Sequence, residues 1–180
     1  MDHTEAIVQI NNLIDHNFCN EMIKFMDQKS LEQMKTFLGT DKSIRNVLGY
    51  TLDFQSKDKI ISDKIIKKIE KLYSYYKAKF FKIQNLKISQ IDLLKYNVGG
   101  KYGVHVDIFT NVNRQLSVII NLNDDYKGGN LIFTDQKEKE IKRLKLGKGS
   151  IVFFPSNFMY PHEIQPITKG TRYSIVAWLY

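Results

Sequence analysis

Two patterns of hydrophobic and polar positions divide the chain at about residue 86. In residues 57–81 isoleucine, leucine and tyrosine recur every three or four places, which is the spacing of an amphipathic helix. Residues 18–37 carry a similar apolar stripe, and Asp15 or Asn17 is placed to cap its start. The stripe consists of Phe18, Met22, Ile23, Phe25 and Met26. We expect both helices to face a core.

After residue 86 the pattern changes to short runs rich in β-branched and aromatic residues. Clusters of Gly, Asn, Asp and Pro separate these runs, which read ISQIDLLKY, RQLSVIINLN, GNLIFT, GSIVFFPS and RYSIVAWLY. Consecutive short strands without helices between them indicate a mostly antiparallel pair of sheets or a barrel. We therefore predict an α+β fold, with a β-sandwich or jelly roll mainly from residue 86 onward, buttressed by the N-terminal helices.

Composition places this fold in one domain. The chain has 180 residues, 43% of them hydrophobic and only three of them proline, so it can bury a sizeable core and is not a low-complexity sequence. We predict a single domain over residues 1–180, in which residues 1–85 are mainly helical support and residues 86–180 form the β core that carries the chemistry.

Net charge and targeting signals say less about the function of the chain than the hydrophobic pattern says about its fold. The net charge of +8 comes from lysines that are dispersed along the second predicted helix and interrupted by acids in residues 137–148, which is typical of a solvated surface. The single cysteine, Cys19, excludes an internal disulfide. The start MDHTEAIVQI does not resemble a secretory signal, and no apolar run reaches 18 residues. We expect a cytoplasmic protein without a membrane span.

The candidate chemistry lies in the strand-rich half. Residues two apart on a strand point to the same side, so His105 and Asp107 would offer an imidazole and a carboxylate to one point if that segment is extended. His162 follows the run GSIVFFPS, and Arg172 opens the last run with Ser174 beside it. Two histidines and one carboxylate form the facial triad of non-haem Fe(II), which leaves open positions for a 2-oxo acid and dioxygen. An arginine with a neighbouring hydroxyl can hold the far carboxylate of that acid.

Residues 92–180 resemble the catalytic core of the 2-oxoglutarate- and Fe(II)-dependent dioxygenases, in particular the prolyl 4-hydroxylase branch. The matching segments are Leu94–Tyr96, Gly99, Tyr102, His105–Asp107, Arg114–Asn123, Gly128–Leu131, Gly149–Phe154, Pro161–Pro166, Arg172–Ile175 and Trp178. The resemblance implies a double-stranded β-helix (jelly roll). It also implies that Fe(II), 2-oxoglutarate and O2 are used, with ascorbate as a further candidate.

The resemblance also implies a role for each matching residue. His105, Asp107 and His162 would bind the iron, and Arg172 would pair with the distal carboxylate of 2-oxoglutarate. Tyr96 and Tyr102 would line the co-substrate pocket, Arg114 would lie near the entrance for the peptide substrate, and Trp178 would lie beside the reacting proline. Asn121 departs from the pattern, because some relatives carry a tyrosine there as a second contact for the distal carboxylate. Ser174 is then a candidate partner of Arg172.

The reaction implied is hydroxylation of a prolyl residue in a protein or peptide at C4, coupled to decarboxylation of 2-oxoglutarate to succinate. Three alternatives stay open at this point. The first is hydroxylation of a free amino acid or small metabolite. The second is nucleic-acid demethylation, disfavoured because that branch carries a second arginine six places after the first, where this chain has Trp178. The third is a non-catalytic zinc-binding domain, since zinc accepts the same ligands. Oligomeric state, substrate identity and regiochemistry are left open.

Overall fold

Two sheets face each other and two helices cover the outer side of the larger one. This computed structural model describes residues 3–36, 38–108 and 113–180. The predicted helix over residues 18–37 and a short loop expected over residues 108–113 at the pocket mouth therefore lie partly outside the described residues. None of the helices in the described part of the chain combines the length and hydropathy that a membrane crossing requires.

Within the described ranges, the two α-helices lie in the first half of the chain, and the second half consists of strands and their connections. After a 3-10 turn at His3–Ala6 the elements run β1 Val8–Ile10, α1 His16–Asp27, β2 Glu32–Gln33, β3 Arg45–Asn46, β4 Leu48–Thr51, α2 Lys59–Lys79, β5 Ile88–Tyr96 and β6 Lys101–His105. The chain continues with β7 Leu116–Asn121, β8 Lys127–Gly128, β9 Leu131–Thr134, β10 Glu140–Leu144, β11 Ile151–Pro155, β12 His162–Ile164, β13 Ile167–Lys169 and β14 Arg172–Leu179.

Every strand pairing among the described residues is antiparallel. The larger sheet has the order β1-β11-β7-β14-β5-β4-β2, and the facing sheet has the order β10-β9-β12-β6-β3. β8 and β13 form a separate two-stranded ribbon. The two sheets do not close into a continuous barrel, so the space between them is open at its ends. The prediction of an antiparallel β-sandwich or jelly roll after residue 86 is confirmed.

Alternation along the long strands produces two hydrophobic cores. Odd-numbered residues of β14, such as Ile175 and Ala177, pack with α1 and α2 on the outer face of the larger sheet. Even-numbered residues, such as Val176 and Trp178, pack between the two sheets. This follows from the two-residue period of a strand. The inner core therefore lines the space where the predicted site residues converge.

The predicted helices are present, but the first is shorter than expected. α2 agrees with the pattern over residues 57–81 to within two residues at each end. α1 begins with Asp15 as its N-cap, whose carboxylate accepts a hydrogen bond of 2.8 Å from the backbone N–H of Phe18. The prediction that this helix extends to residue 37 is wrong: it ends at Asp27, and Glu32–Gln33 pair with β4 instead. The first half also contributes four short strands, so it is not purely a helical support.

Candidate active site

Three predicted ligands meet at the end of two neighbouring strands. His105 ends β6 and His162 begins β12, and the two residues are directly paired across the ladder. Asp107 lies in the bend after β6 rather than in an extended strand, yet it reaches both imidazoles. Its two carboxylate oxygens each lie 3.6 Å from the Nε2 atom of one histidine. One potential ligand atom from each residue lies within 4.8 Å of the others, so the three could hold a metal ion.

Backbone and hydroxyl groups fix the orientation of these side chains. The Nδ1 atom of His105 lies 2.8 Å from the carbonyl oxygen of Gly103, and that of His162 lies 3.0 Å from the carbonyl oxygen of Tyr160. A ring nitrogen that donates to a carbonyl leaves the lone pair on the opposite nitrogen, Nε2. The Ser117 hydroxyl donates a hydrogen bond of 2.6 Å to Asp107 Oδ2. Such second contacts are typical of metal ligands.

Electrostatics favour the forms that bind a metal at neutral pH. Burial lowers the pKa of the His105 imidazole, and the neighbouring His162 lowers it further. Burial alone would raise the pKa of Asp107, but the two imidazoles and the Ser117 hydroxyl outweigh burial and lower it. A neutral imidazole and an ionised carboxylate are therefore ready to act as ligands. Two nitrogens and one carboxylate with open positions suit non-haem Fe(II).

Aromatic rings pack against both histidines. The Tyr102 ring stacks on His105 with ring centroids 3.5 Å apart. Phe154 meets His162 edge-on at 4.7 Å between centroids, and Phe133 lies 5.7 Å away. These contacts limit rotation of the imidazoles and keep water from their ring faces.

Arg172 is a buried cation that has no ion-pair partner among the residues that the structure describes. It is fully buried between the sheets, and its Nη1 atom donates a hydrogen bond of 3.2 Å to the Ser174 hydroxyl. Its Nε and Nη2 atoms have no hydrogen-bond partner within the described residues. Leaving a buried guanidinium unpaired costs several kcal/mol, so such a group is expected to receive an anionic ligand. This agrees with the predicted role of Arg172.

Tyr96 faces Arg172 from the adjacent strand. The two residues are directly paired between β5 and β14, and the guanidinium carbon lies 5.0 Å from the centre of the Tyr96 ring. Burial raises the pKa of the Tyr96 phenol, and the nearby Arg172 charge offsets part of this effect. Tyr96 therefore keeps its proton at neutral pH and can act as a hydrogen-bond donor in the pocket.

Arg114 and Trp178 stand at the opening of the site. Their side chains stack, with the guanidinium carbon 3.8 Å from the indole ring centre. Arg114 donates a hydrogen bond of 3.2 Å to the backbone carbonyl of Asp107 and one of 2.9 Å to the Gln90 side chain. A cleft of about 550 Å³ opens here, lined by both residues together with Asp107, Tyr102 and others.

Four of the nine predicted site residues, Tyr102, Asp107, Arg114 and Trp178, line this cleft, and His105 and His162 meet Asp107 at it. The other three, Arg172, Ser174 and Tyr96, contact one another on the larger sheet. The structure also adds site residues that the sequence did not predict. Ser117 lies in a segment quoted for the resemblance, but nothing in its pattern indicated a contact with Asp107. Arg45 comes from a two-residue strand, lines the cleft and places its guanidinium carbon 4.5 Å above the Tyr102 ring. Only the pairing of Arg45 with Tyr102 across the sheet puts it there.

Comparison with known proteins agrees with the predicted resemblance. Residues 91–180 match the family described as the 2OG-Fe(II) oxygenase superfamily. A PKHD-type hydroxylase of Idiomarina loihiensis is 28% identical over 96 residues, which cover 51% of this chain and 42% of that protein. The chain spans about half the length of the curated relatives it matches.

Solved structures share the fold over nearly the whole chain. A Pseudomonas putida prolyl-4-hydroxylase superimposes with a TM-score of 0.75 at 18% identity, covering 96% of this chain and 91% of that one. A prolyl hydroxylase in complex with a hypoxia inducible factor peptide fragment from Trichoplax adhaerens gives a TM-score of 0.77 at 18% identity, covering 98% and 84%. The predicted jelly roll is thereby confirmed.

Proposed function

Since the chain belongs to the 2OG-Fe(II) oxygenase superfamily, whose cofactors are Fe(II), 2-oxoglutarate and O2, we propose that it hydroxylates prolyl residues at C4 in a peptide or protein. The reaction would convert 2-oxoglutarate to succinate and carbon dioxide. The observation that carries the proposal is a triad of potential metal ligands together with a buried arginine, two of whose nitrogens have no hydrogen-bond partner among the described residues.

His105, Asp107 and His162 would hold the iron. Their Nε2 and carboxylate atoms already converge, and their other atoms are engaged by Gly103, Tyr160 and Ser117. Bound Fe(II) supplies the chemistry by which O2 decarboxylates the 2-oxo acid and oxidises a C–H bond. The protein fixes the ligand geometry and shields the imidazole faces with aromatic rings.

Arg172 and Ser174 would anchor 2-oxoglutarate by its distal carboxylate. A carboxylate on the unpartnered Nε and Nη2 atoms would form charge-assisted hydrogen bonds and neutralise the buried cation. The protonated Tyr96 hydroxyl would donate to the co-substrate from the adjacent strand β5, and Tyr102 would line the pocket from beside His105. These side chains orient the acid so that its 2-oxo end faces the metal ligands.

The substrate would enter past Arg114 and Trp178. Their stacked side chains form a rigid wall beside Asp107, and the cleft in front of them opens to solvent. An open cleft can accept a chain segment, and one structural neighbour is in complex with a peptide. The guanidinium of Arg114 suits a peptide carbonyl, and the indole suits the flat apolar face of a proline ring.

We also propose that residues 1–180 act as one dioxygenase domain. β1 pairs with β11, and β4 pairs with β5, so both ends of the larger sheet depend on the N-terminal half. Arg45, from the same half, contributes to the cleft wall. Removal of residues 1–85 would therefore uncover the outer core and open the site.

The test is succinate formation from 2-oxoglutarate by the Fe(II)-loaded protein, with and without ascorbate, in the presence of three substrate classes. Proline-containing peptides should stimulate turnover, whereas free proline and methylated oligonucleotides should not. Mass spectrometry should locate one added oxygen on a proline ring. Stimulation by either of the other classes alone would refute the prolyl assignment while leaving the chemistry intact.

Two controls examine the chemistry itself. The double variant His105→Ala/His162→Ala should form no succinate under any condition, and continued turnover would refute the metal assignment. Anaerobic addition of Fe(II) and 2-oxoglutarate to the unaltered protein should give a weak visible charge-transfer band. Zinc cannot produce such a band, so a spectrum without the band would favour a non-catalytic zinc-binding domain.

A further inference from the structure

If the chain binds 2-oxoglutarate as proposed, the distal carboxylate needs a second hydrogen-bond donor beside Arg172. This inference rests on that proposed function. Asn121 lies on β7 directly opposite Ser174 on β14, so the two side chains share the inner face. The Asn121 amide nitrogen donates hydrogen bonds of 2.6 Å and 3.0 Å to the backbone carbonyls of Asn123 and Leu146. Both N–H groups are therefore used, and its remaining oxygen is an acceptor that cannot bind a carboxylate.

A tyrosine from the following loop reaches the same place. The Tyr126 hydroxyl donates a hydrogen bond of 3.2 Å to the Asn121 side-chain oxygen. It thus lies on the inner face of the larger sheet, beside the row formed by Ser174 and Arg172.

Gly129 brings the Tyr126 ring close to Arg172. A Cβ atom placed on Gly129 would lie 3.1 Å from Tyr126 Cε2 and 3.2 Å from Arg172 Cδ. The ring edge and the arginine stem therefore pack around the same glycine. The absence of a side chain at this position lets the tyrosine ring pack near the stem of Arg172.

We propose that Tyr126 is a co-substrate-positioning residue whose hydroxyl, together with Ser174 and Arg172, binds the distal carboxylate of 2-oxoglutarate. Without the acid, the Asn121 oxygen holds the hydroxyl on the inner face of the sheet. When the acid enters, the hydroxyl exchanges a neutral acceptor for an anionic one, and hydrogen bonds to charged groups are the stronger kind. Arg172 would neutralise the charge of the carboxylate, and the Tyr126 hydroxyl would fix its orientation.

The test measures, by calorimetry under anaerobic conditions, the binding of two 2-oxo acids to the Fe(II)-loaded protein. 2-Oxoglutarate carries the distal carboxylate, and 2-oxopentanoate has the same five-carbon chain without it. Tyr126→Phe should weaken 2-oxoglutarate binding by about 10-fold or more, the loss expected for one hydrogen bond to a charged group. Binding of 2-oxopentanoate should not change.

Tyr173→Phe is the matched control, because that hydroxyl is also half-buried but bonds to Asp27 on the outer side of the sheet. It should bind both acids as the unaltered protein does. Unchanged 2-oxoglutarate binding in Tyr126→Phe, or an equal loss for both acids, would overturn the inference. Failure of the unaltered protein to bind 2-oxoglutarate would instead overturn the proposed function, and the inference with it.

Discussion

Replacing Ser117 with alanine should weaken metal binding without altering any ligand. Its hydroxyl donates a hydrogen bond of 2.6 Å to Asp107 Oδ2, and both residues are buried. A hydrogen bond to a charged group contributes about 1.5–3 kcal/mol, which corresponds to roughly 10- to 100-fold in affinity. Ser156 lies 2.8 Å from the Ser117 hydroxyl and would have to move to replace it at the carboxylate. We expect the Fe(II) dissociation constant to rise at least about 10-fold.

Anaerobic competition of the protein against a chelator of known affinity measures this constant. Ser62→Ala is the matched control, because Ser62 is equally buried but donates to the backbone carbonyl of Asp58, the residue before α2, away from the site. Equal metal affinity in Ser117→Ala, Ser62→Ala and the unaltered protein would refute the reasoning that the hydroxyl holds Asp107 in place.

The pH dependence of metal release gives an independent readout of the same variant. Burial would raise the pKa of Asp107, and the Ser117 hydroxyl is one of the groups that lower it. A carboxylate with a lowered pKa keeps its metal until the pH falls through that pKa. Loss of the hydroxyl raises the pKa, so Ser117→Ala should release the metal at a higher pH than the unaltered protein.

Three further predictions concern other parts of the chain. Arg172→Ala should raise the 2-oxoglutarate concentration needed for half-maximal turnover by at least about 100-fold, because the variant cannot form the proposed charge-assisted contact with the distal carboxylate. Asp58→Asn should lower the free energy of unfolding in urea by about 2 kcal/mol, since its buried carboxylate accepts hydrogen bonds from Lys29, Tyr50 and a backbone N–H. Gly149→Ala should destabilise the protein by about 1–3 kcal/mol, because φ is +75° and the new Cβ would lie 2.3 Å from a backbone oxygen.

Each of these changes has a control. Arg172→Lys keeps the charge but not the fork of donors, and it should recover only part of the affinity. Asp63→Asn removes an exposed ion pair with Lys59 and should leave unfolding nearly unchanged. Gly147→Ala, two residues from Gly149, would place its Cβ 3.7 Å from the nearest atom and should be tolerated. A large loss of stability in either of the last two would contradict the reasoning.

The contribution of Asp58 should also depend on pH with a defined sign. Burial would raise the pKa of this carboxyl, but the hydrogen bonds from Lys29, Asp53 and Tyr50 outweigh burial and lower it. A group whose folded pKa is lowered stabilises the fold above its unfolded pKa of about 4, and the stabilisation disappears as the pH falls through the folded value. The difference in stability between Asp58→Asn and the unaltered protein should therefore shrink below about pH 4.

Local periodicity in the sequence alone predicts most of the longer secondary-structure elements of this protein. The three- and four-residue spacing in residues 57–81 predicts α2, and the five β-rich runs coincide with β5, β7, β9, β11 and β14. Most of these runs are apolar throughout because both faces of their strands are buried, and a short continuous apolar run between turn residues is typical of such a strand. The order of His105, Asp107, His162 and Arg172 in the strand-rich half, together with the family resemblance of residues 92–180, predicted the chemistry.

Short elements and contacts between distant segments depended on tertiary structure. β2 and β3 have two residues each, too few to show a period, and they exist because β4 and β6 offer backbone partners. Pairing of Glu32–Gln33 with β4 also shows that the chain after Asp27 takes up strand contacts rather than another helical turn. No spacing in the sequence encodes such long-range pairings.

The contacts that orient the site residues also depend on tertiary structure. Ser117 meets Asp107 across ten residues, Arg45 covers Tyr102 from another strand, and Tyr126 reaches Asn121 from a loop. Residue types, spacing and the family resemblance predicted candidate ligands for metal and acid, and three of these candidates, His105, His162 and Arg172, lie at the ends of strands. The positions of the groups that orient them follow from strand register and loop path, which only the packed sheets determine.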